Sequence, residues 1–146
     1  MSTNAVVFTK LENGLYTGTE ICNDGYIDVS DKRGRCLGFG AGYILGRYWN
    51  DRNEIKKLVK GNMIRNLGES FEETEFYNCR QHGLDGLTMK EVKNLGYSYI
   101  YVFNDDDDWV VMNTCYDRTQ DMFFDLNSFL DYNDPGRFYD NASFWK

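Results

Sequence analysis

The most regular pattern in the chain is a pair of apolar segments separated by a run of acidic residues. Residues 97–103 (YSYIYVF) combine aromatic and β-branched side chains and predict the strongest strand in the sequence. Trp109–Asn113 (WVVMN) has the same character, and residues 104–108 separate the two segments. They are therefore predicted to pair as a hairpin. Similar but shorter patterns predict strands at residues 5–9 and 76–77.

Polar turn residues predict a second, tighter hairpin near the beginning of the chain. Residues 20–22 and 26–29 have β-type composition and flank Asn23, Asp24 and Gly25. The Asp-Gly pair is typical of tight hairpin turns because it tolerates positive φ values. Residues 14–18 predict either a turn or the start of another strand.

Helical spacing and capping residues predict the helices. Residues 37–49 are apolar and predicted to be helical towards their C-terminal end, although four glycines weaken the helix propensity. Asn50 or Asp51 is expected to cap the next helix, which ends before Gly61. Thr88 and Glu91 form a capping-box pattern. Residues 63–67 predict a short turn, and residues 122–130 a helix or strand.

These elements predict an α+β protein with one domain over residues 1–146, a small antiparallel sheet and two to four short helices. The 146 residues include 24 aromatic ones, which argues against disorder. No apolar run approaches the roughly 20 residues of a transmembrane helix, and the N-terminus lacks a signal-peptide pattern. The four cysteines form no CxxC pair, so free thiols in a cytoplasmic protein are expected.

Charge is distributed unequally along the chain. Residues 1–65 carry ten basic and seven acidic groups, whereas residues 66–146 carry six basic and sixteen acidic groups. Two interpretations of this difference in charge are open. The two halves contribute solvent-exposed faces of different charge without a function, or the difference marks a binding surface. The basic half would suit an anionic ligand, and the acidic half would suit a positively charged protein. The net charge of −7 disfavours direct binding to duplex nucleic acid.

A candidate anion site surrounds the glycine-rich segment at residues 38–46. Arginines flank this segment, and a guanidinium group is well suited to phosphate. Small residues allow a backbone to approach a ligand closely, and nearby tyrosines can stack on a base. The same pattern would arise without a ligand site if the aromatic residues fill the core and the arginines are surface cations. The candidate ligand contacts are Tyr26, Arg33, Arg35, Arg47, Tyr48 and Arg80.

Signals for catalysis or metal binding are weak. Cys79 and His82 are the one close Cys–His pair, and residues three apart on a strand would point to opposite faces. The run Asp105–Asp108 lacks the ligand spacing, glycine and glutamate of an EF-hand loop. A solvated hairpin loop explains these four aspartates more simply, although the sequence leaves a weak divalent-cation contact open. The sequence thus predicts no enzyme, cofactor or metal centre.

Four short motifs lie within residues 21–85, at residues 22–26 (CNDGY), 47–51 (RYWND), 61–68 (GNMIRNLG) and 77–85 (YNCRQHGLD). In these motifs the chain resembles a family of small accessory proteins of tailed phages and prophages. Cys22 replaces a histidine of the family pattern, and Asn78, Cys79 and Gln81 dilute its charged run.

The resemblance implies a phage protein that acts against host defences in the host cytoplasm. The sequence favours a binding protein that sequesters a nucleotide-type immune signal. An acidic inhibitor of a host defence nuclease, of the anti-CRISPR or nucleic-acid-mimic kind, is the alternative, and an enzyme that degrades such a signal is the second. A homo-oligomer is compatible with the sequence but not required by it.

Overall fold

Alternating residues of the central strands are buried on opposite faces of one sheet. In the first strand, Ala5 and Val7 belong to one apolar core, and Val6 and Phe8 belong to another. All four are fully buried. A strand buried on both faces needs a nearly continuous apolar sequence, which AVVF provides. The structure, a computed structural model, describes residues 4–28, 38, 40–113, 123–132 and 138–139.

The described residues form four helices and one eight-stranded sheet. The strands are β1 (Ala5–Lys10), β2 (Tyr16–Ile21), β3 (Ile64–Asn66), β4 (Glu75–Phe76), β5 (Tyr99–Phe103), β6 (Trp109–Asn113), β7 (Phe123–Asp125) and β8 (Phe138–Tyr139). The helices are α1 (Ala41–Tyr48), α2 (Arg52–Val59), α3 (Met89–Lys93) and α4 (Leu126–Tyr132). None of these four helices has the length and apolarity needed to cross a bilayer.

The sheet has the strand order β4-β3-β2-β1-β5-β6-β7-β8. The β1–β5 and β2–β3 pairs are parallel, and the other pairs are antiparallel. Helices α1, α2 and α4 contribute to the core on one face, where Leu45, Leu58 and Leu130 are buried. Helix α3 contributes Met89 and Val92 to the core on the other face. The α+β class is therefore confirmed, but the sheet is larger than predicted and mixed.

Several local predictions are confirmed. Strands β5 and β6 pair antiparallel across the aspartate loop. The Asp51 side chain accepts hydrogen bonds from the backbone amides of Asn53 and Glu54 and so caps α2. Thr88 and Glu91 make both bonds of a capping box at α3. Residues 122–130 were predicted as a helix or strand, and their described part contains both β7 and the start of α4.

Two local predictions are wrong. No hairpin forms around Asn23–Gly25, because described residues 22–28 contain no strand. Asp24 does adopt a positive φ of 55°. Its carbonyl, however, accepts the Ala41 amide, so this segment holds the start of α1 instead of turning back on itself. The turn predicted at residues 63–67 is strand β3, which pairs with β2 and β4.

Alkaline pH is expected to destabilise the fold through buried tyrosines. Burial, with the nearby Glu20 carboxylate, raises the pKa of Tyr97 to about 12. Burial also raises the pKa of Tyr101, whose hydroxyl donates a hydrogen bond to the Gly25 carbonyl at 2.6 Å. These phenols ionise first in the unfolded chain, so they stabilise the fold below about pH 10 and lose that contribution as pH rises towards the folded-state pKa. Urea unfolding from pH 8 to 11 checks this expectation. The free energy of unfolding should decline less steeply with pH in Tyr97→Phe than in the wild type. Equal slopes in the two proteins would contradict the role of Tyr97.

Candidate functional site

Described backbone amides at the start of the glycine-rich segment are already bound by this chain. The Asp28 carboxylate accepts hydrogen bonds from the amides of Gly38 and Gly40, both at 3.0 Å. In the first turn of α1, the Ala41 amide donates to the Asp24 carbonyl at 2.9 Å and the Tyr43 amide to the Ile27 carbonyl at 2.8 Å. An anionic ligand would therefore have to displace a carboxylate and two carbonyls to reach these amides.

Arg47, one of the predicted ligand contacts, links two helices. Its guanidinium donates to the Asn127 side-chain oxygen at 2.7 Å and also pairs with the Asp131 carboxylate. The same group lies 5.8 Å from the centre of the Tyr43 ring. The contacts join α1 to α4, and 30% of the arginine side chain remains exposed. Capture of an anion by Arg47 would thus compete with an intramolecular carboxylate.

Arg80, like Arg47, is bound to acceptors of this chain. Its guanidinium donates to the Gly61 carbonyl, to the Gly18 carbonyl at 3.1 Å, and to the Asp85 carboxylate at 2.6 Å. These acceptors belong to three segments that are distant in the sequence: the turn after α2, strand β2 and the loop before α3. The position of Arg80 is therefore that of a structural clamp. Arg33 and Arg35 lie outside the described residues.

The two predicted tyrosines lie at opposite ends of α1. The Tyr26 carbonyl accepts the Gly42 amide at the start of this helix, and the Tyr26 hydroxyl donates to Asp24 at 3.1 Å. Burial and the Asp24 carboxylate raise the pKa of Tyr26. Tyr48 is the last residue of α1, roughly 10 Å further along the helix axis. Among the described residues, no side-chain hydrogen bond joins any two of Tyr26, Arg47, Tyr48 and Arg80. The predicted set of ligand contacts stays a prediction.

A second surface was only partly anticipated: the loop at residues 67–74, which joins β3 to β4 and is called the acidic loop here. It carries Glu69, Glu72 and Glu73, all exposed. In the described part of the chain, none of these three carboxylates has a hydrogen-bond or ion-pair partner. Every other exposed acidic segment there has at least one carboxylate bound by a cation or a polar group, such as Asp105 by Lys10 at 2.9 Å.

The acidic loop is held in one shape by its own hydrogen bonds and by a tryptophan. The Trp49 indole donates to the Gly68 carbonyl at 2.9 Å, and the Gly68 amide donates to the Thr74 hydroxyl at 3.0 Å. That hydroxyl donates in turn to the Ser70 carbonyl at 2.7 Å. A Cβ atom on Gly68 would lie 2.5 Å from the Glu73 carbonyl oxygen, so the tight closure of the loop requires glycine. The glutamates thus lie on a loop whose backbone is held by these hydrogen bonds.

A groove of about 220 Å³ separates the acidic loop from the α1–α2 junction. We call it the Tyr48 groove; its lining includes Tyr48, Asp51, Glu54, Glu69, Phe71 and Glu72. Tyr48 is 46% exposed, and the one other exposed large apolar or aromatic residue of the described chain is Tyr77. Exposed aromatic rings are enriched at protein-binding surfaces. The groove therefore combines apolar contact area with negative charge.

The aspartate hairpin loop is more strongly neutralised than the acidic loop. Lys10 pairs with Asp105, and Arg52 pairs with Asp107 at 2.5 Å. The Asn104 side chain accepts the amides of Asp106 and Asp108 at 3.0 and 2.9 Å. Burial and neighbouring carboxylates raise the pKa of Asp108. In the described residues, no group of three or more His, Cys, Asp or Glu side chains is arranged to hold a metal ion.

Cys79 and His82 are the one close Cys–His pair in the sequence. The Cys79 thiol lies 3.9 Å from the Met63 sulfur, and no hydrogen bond joins it to His82 within the described chain. Both residues are exposed. A nucleophilic cysteine needs a base within hydrogen-bond reach, so this geometry does not by itself provide one.

Comparison with known proteins does not assign this fold to a family. No family model matches the chain, and no curated protein or solved structure is significantly similar to it. The resemblance to phage accessory proteins consequently stays a prediction, and the functional argument depends on the chemistry of the surface.

Proposed function

We propose that this protein binds a positively charged surface of another protein through the acidic loop and the adjoining Tyr48 groove. The observation that carries the proposal is the set of three unpartnered, exposed glutamates on a loop that Trp49 holds through a hydrogen bond to Gly68. A preformed negative surface steers a cationic partner towards it and loses little conformational freedom on binding. The proposed activity is stoichiometric inhibition, without chemistry.

Combined with the resemblance, this proposal names a class of partner. A host defence protein that binds nucleic acid has a cationic channel for the phosphate backbone. An acidic protein can bind in such a channel because its carboxylates replace the phosphate groups. We therefore propose a phage counter-defence inhibitor that works in the host cytoplasm. Sequestration of a nucleotide signal fits the structure less well, because Arg47 and Arg80 already bind acceptors of this chain.

A matched pair of double variants tests the proposal. Glu69→Gln/Glu72→Gln and Asp106→Asn/Asp108→Asn each remove two negative charges, the first from the acidic loop and the second from the hairpin loop. The immobilised wild-type protein and both variants would be exposed to host lysate at low and high salt. A retained nucleic-acid-binding protein would then be purified for rate measurements.

We expect the Glu69→Gln/Glu72→Gln variant to associate with that partner about tenfold more slowly and with a weaker salt dependence. The hairpin-loop variant should remain close to wild type. Equal association rates for all three proteins would overturn the role of the acidic loop. Native mass spectrometry with linear and cyclic nucleotides provides the opposing test: an adduct of unchanged mass would favour nucleotide capture, and a consumed nucleotide would favour an enzyme.

A further inference from the structure

The Tyr48 groove has two kinds of lining that together suit a cation with a flat face. Tyr48 and Phe71 contribute aromatic rings. The lining carboxylates are those of Asp51, Glu54, Glu69 and Glu72. An aromatic face attracts a cation, and carboxylates accept hydrogen bonds from it. Neither property favours an anionic or a neutral apolar occupant.

The chain's own Lys57 already shows this mode of binding at the edge of the groove. Its ammonium group lies 4.8 Å from the centre of the Phe71 ring and 3.3 Å from the Glu54 carboxylate. Phe71 and Glu54 both line the groove. Two lining residues of the groove, Phe71 and Glu54, therefore already contact a cation through an aromatic ring and a carboxylate. This observation supports cation binding independently of how many acidic residues line the groove.

We infer that the Tyr48 groove receives an arginine side chain of the protein partner. This inference rests on the proposed function and names the group that the surface recognises. The guanidinium would stack on the Tyr48 ring and donate hydrogen bonds to Glu69 and Glu72, the two lining carboxylates that have no partner in the described chain. Asp51 is less available because it caps α2.

Size and geometry favour arginine over the alternatives. A volume of about 220 Å³ is below the roughly 300 Å³ at which small-molecule sites begin, and it suits a single side chain. Arginine stacks on aromatic rings and can donate to two carboxylates at once, whereas a lysine ammonium is a strongly hydrated point charge. The groove should therefore prefer arginine to lysine.

Capped tripeptides test the inference without knowledge of the partner. Acetyl-Gly-Arg-Gly-amide, its lysine analogue and its citrulline analogue would be titrated into the full chain and followed by two-dimensional NMR. Citrulline retains the shape of arginine but lacks its charge. The Trp49 indole resonance is a local reporter, because this group bonds to the Gly68 carbonyl beneath the groove.

We expect shifts confined to the groove, with the arginine peptide binding at least tenfold more tightly than the citrulline peptide and several-fold more tightly than the lysine peptide. Tyr48→Ala should weaken binding about fivefold, and Tyr48→Phe should retain it because the ring is kept. Lys57→Met should strengthen binding about threefold, because it removes a competing cation from Phe71 and Glu54. A purely structural role for these residues would not give that increase.

The two proposals fail in different ways. Equal binding of the arginine and citrulline peptides, or shifts centred on the aspartate hairpin, would overturn the arginine site. If Glu69→Gln/Glu72→Gln still slowed association with the partner, the proposed function would survive that result. If neither Tyr48→Ala nor the double variant affected the partner, while the arginine peptide bound the groove selectively, the proposed function would fail. The preference of the groove for arginine would then stand without that partner.

Discussion

Gly40→Ala is expected to destabilise the protein by more than about 3 kcal/mol, at the upper end of what overpacking usually costs. A Cβ atom at this position would lie 2.3 Å from the Ile27 carbonyl oxygen and 2.6 Å from the Asp28 Cα atom. Both are backbone atoms, so no side chain can rotate to relieve the contact. Gly40 has φ −81° and ψ 151°, which alanine adopts readily, so the expected loss is steric.

Gly14→Ala is the matched control. Gly14 has a positive φ of 79°, and a Cβ atom there would meet nothing within 4 Å. This variant should therefore cost only about 1–2 kcal/mol of backbone strain. Urea unfolding of both variants, with the midpoint and slope analysed together, measures the difference. A smaller loss for Gly40→Ala than for Gly14→Ala would contradict the close approach of α1 to residues 27–28.

The result would also decide how the glycine-rich segment should be interpreted. In the sequence, Gly38, Gly40 and Gly42 suggested a backbone cradle for an anionic ligand. In the structure, a Cβ atom on Gly42 would lie 2.7 Å from the Ile27 Cα atom, so the same glycines serve packing within the chain. Composition alone cannot separate the two uses, since both require a backbone without side chains.

Elements governed by local chemistry were predictable from the sequence. The capping box at Thr88, the Asp51 cap and the β5–β6 hairpin depend on residues a few positions apart, and each appears in the structure. Strand β3 was not predictable in this way. It has three residues, and only Ile64 is buried, so its strand conformation depends on pairing with β2 and β4.

The candidate site was harder to predict because its chemistry depends on distant partners. Arg47 pairs with Asp131, 84 residues away, and Arg80 bonds to Gly18, 62 residues away. The sequence alone does not distinguish an arginine that binds such distant partners from an arginine that binds a ligand. The unpartnered glutamates did leave a sequence signal, because residues 66–79 contain four glutamates and no lysine or arginine. Their proximity to Tyr48 became visible only in the fold.

Arg80→Ala is expected to destabilise the protein by about 3 kcal/mol. The loss comes mainly from the Gly61 and Gly18 carbonyls, which would lose a charged donor, since hydrogen bonds to charged groups contribute about 1.5–3 kcal/mol each. The ion pair with Asp85 adds little, because 63% of the Asp85 side chain is exposed. Arg80→Lys should recover only part of the loss, because one ammonium cannot reproduce the planar set of donors.

Urea unfolding of Arg80→Ala, Arg80→Lys and Asp85→Asn separates these contributions. Asp85→Asn should change the free energy of unfolding by less than about 1 kcal/mol, because it removes only the exposed ion pair. Native mass spectrometry of Arg80→Ala with the nucleotide panel completes the comparison. Unchanged stability together with a lost nucleotide adduct would show that Arg80 binds a ligand and would restore the nucleotide-capture hypothesis. A large loss of stability, with no nucleotide adduct in either wild type or variant, would instead assign Arg80 a structural role. In that role it joins the turn after α2, strand β2 and the loop before α3. The acidic loop and the Tyr48 groove would then be the surface of the described chain suited to a partner.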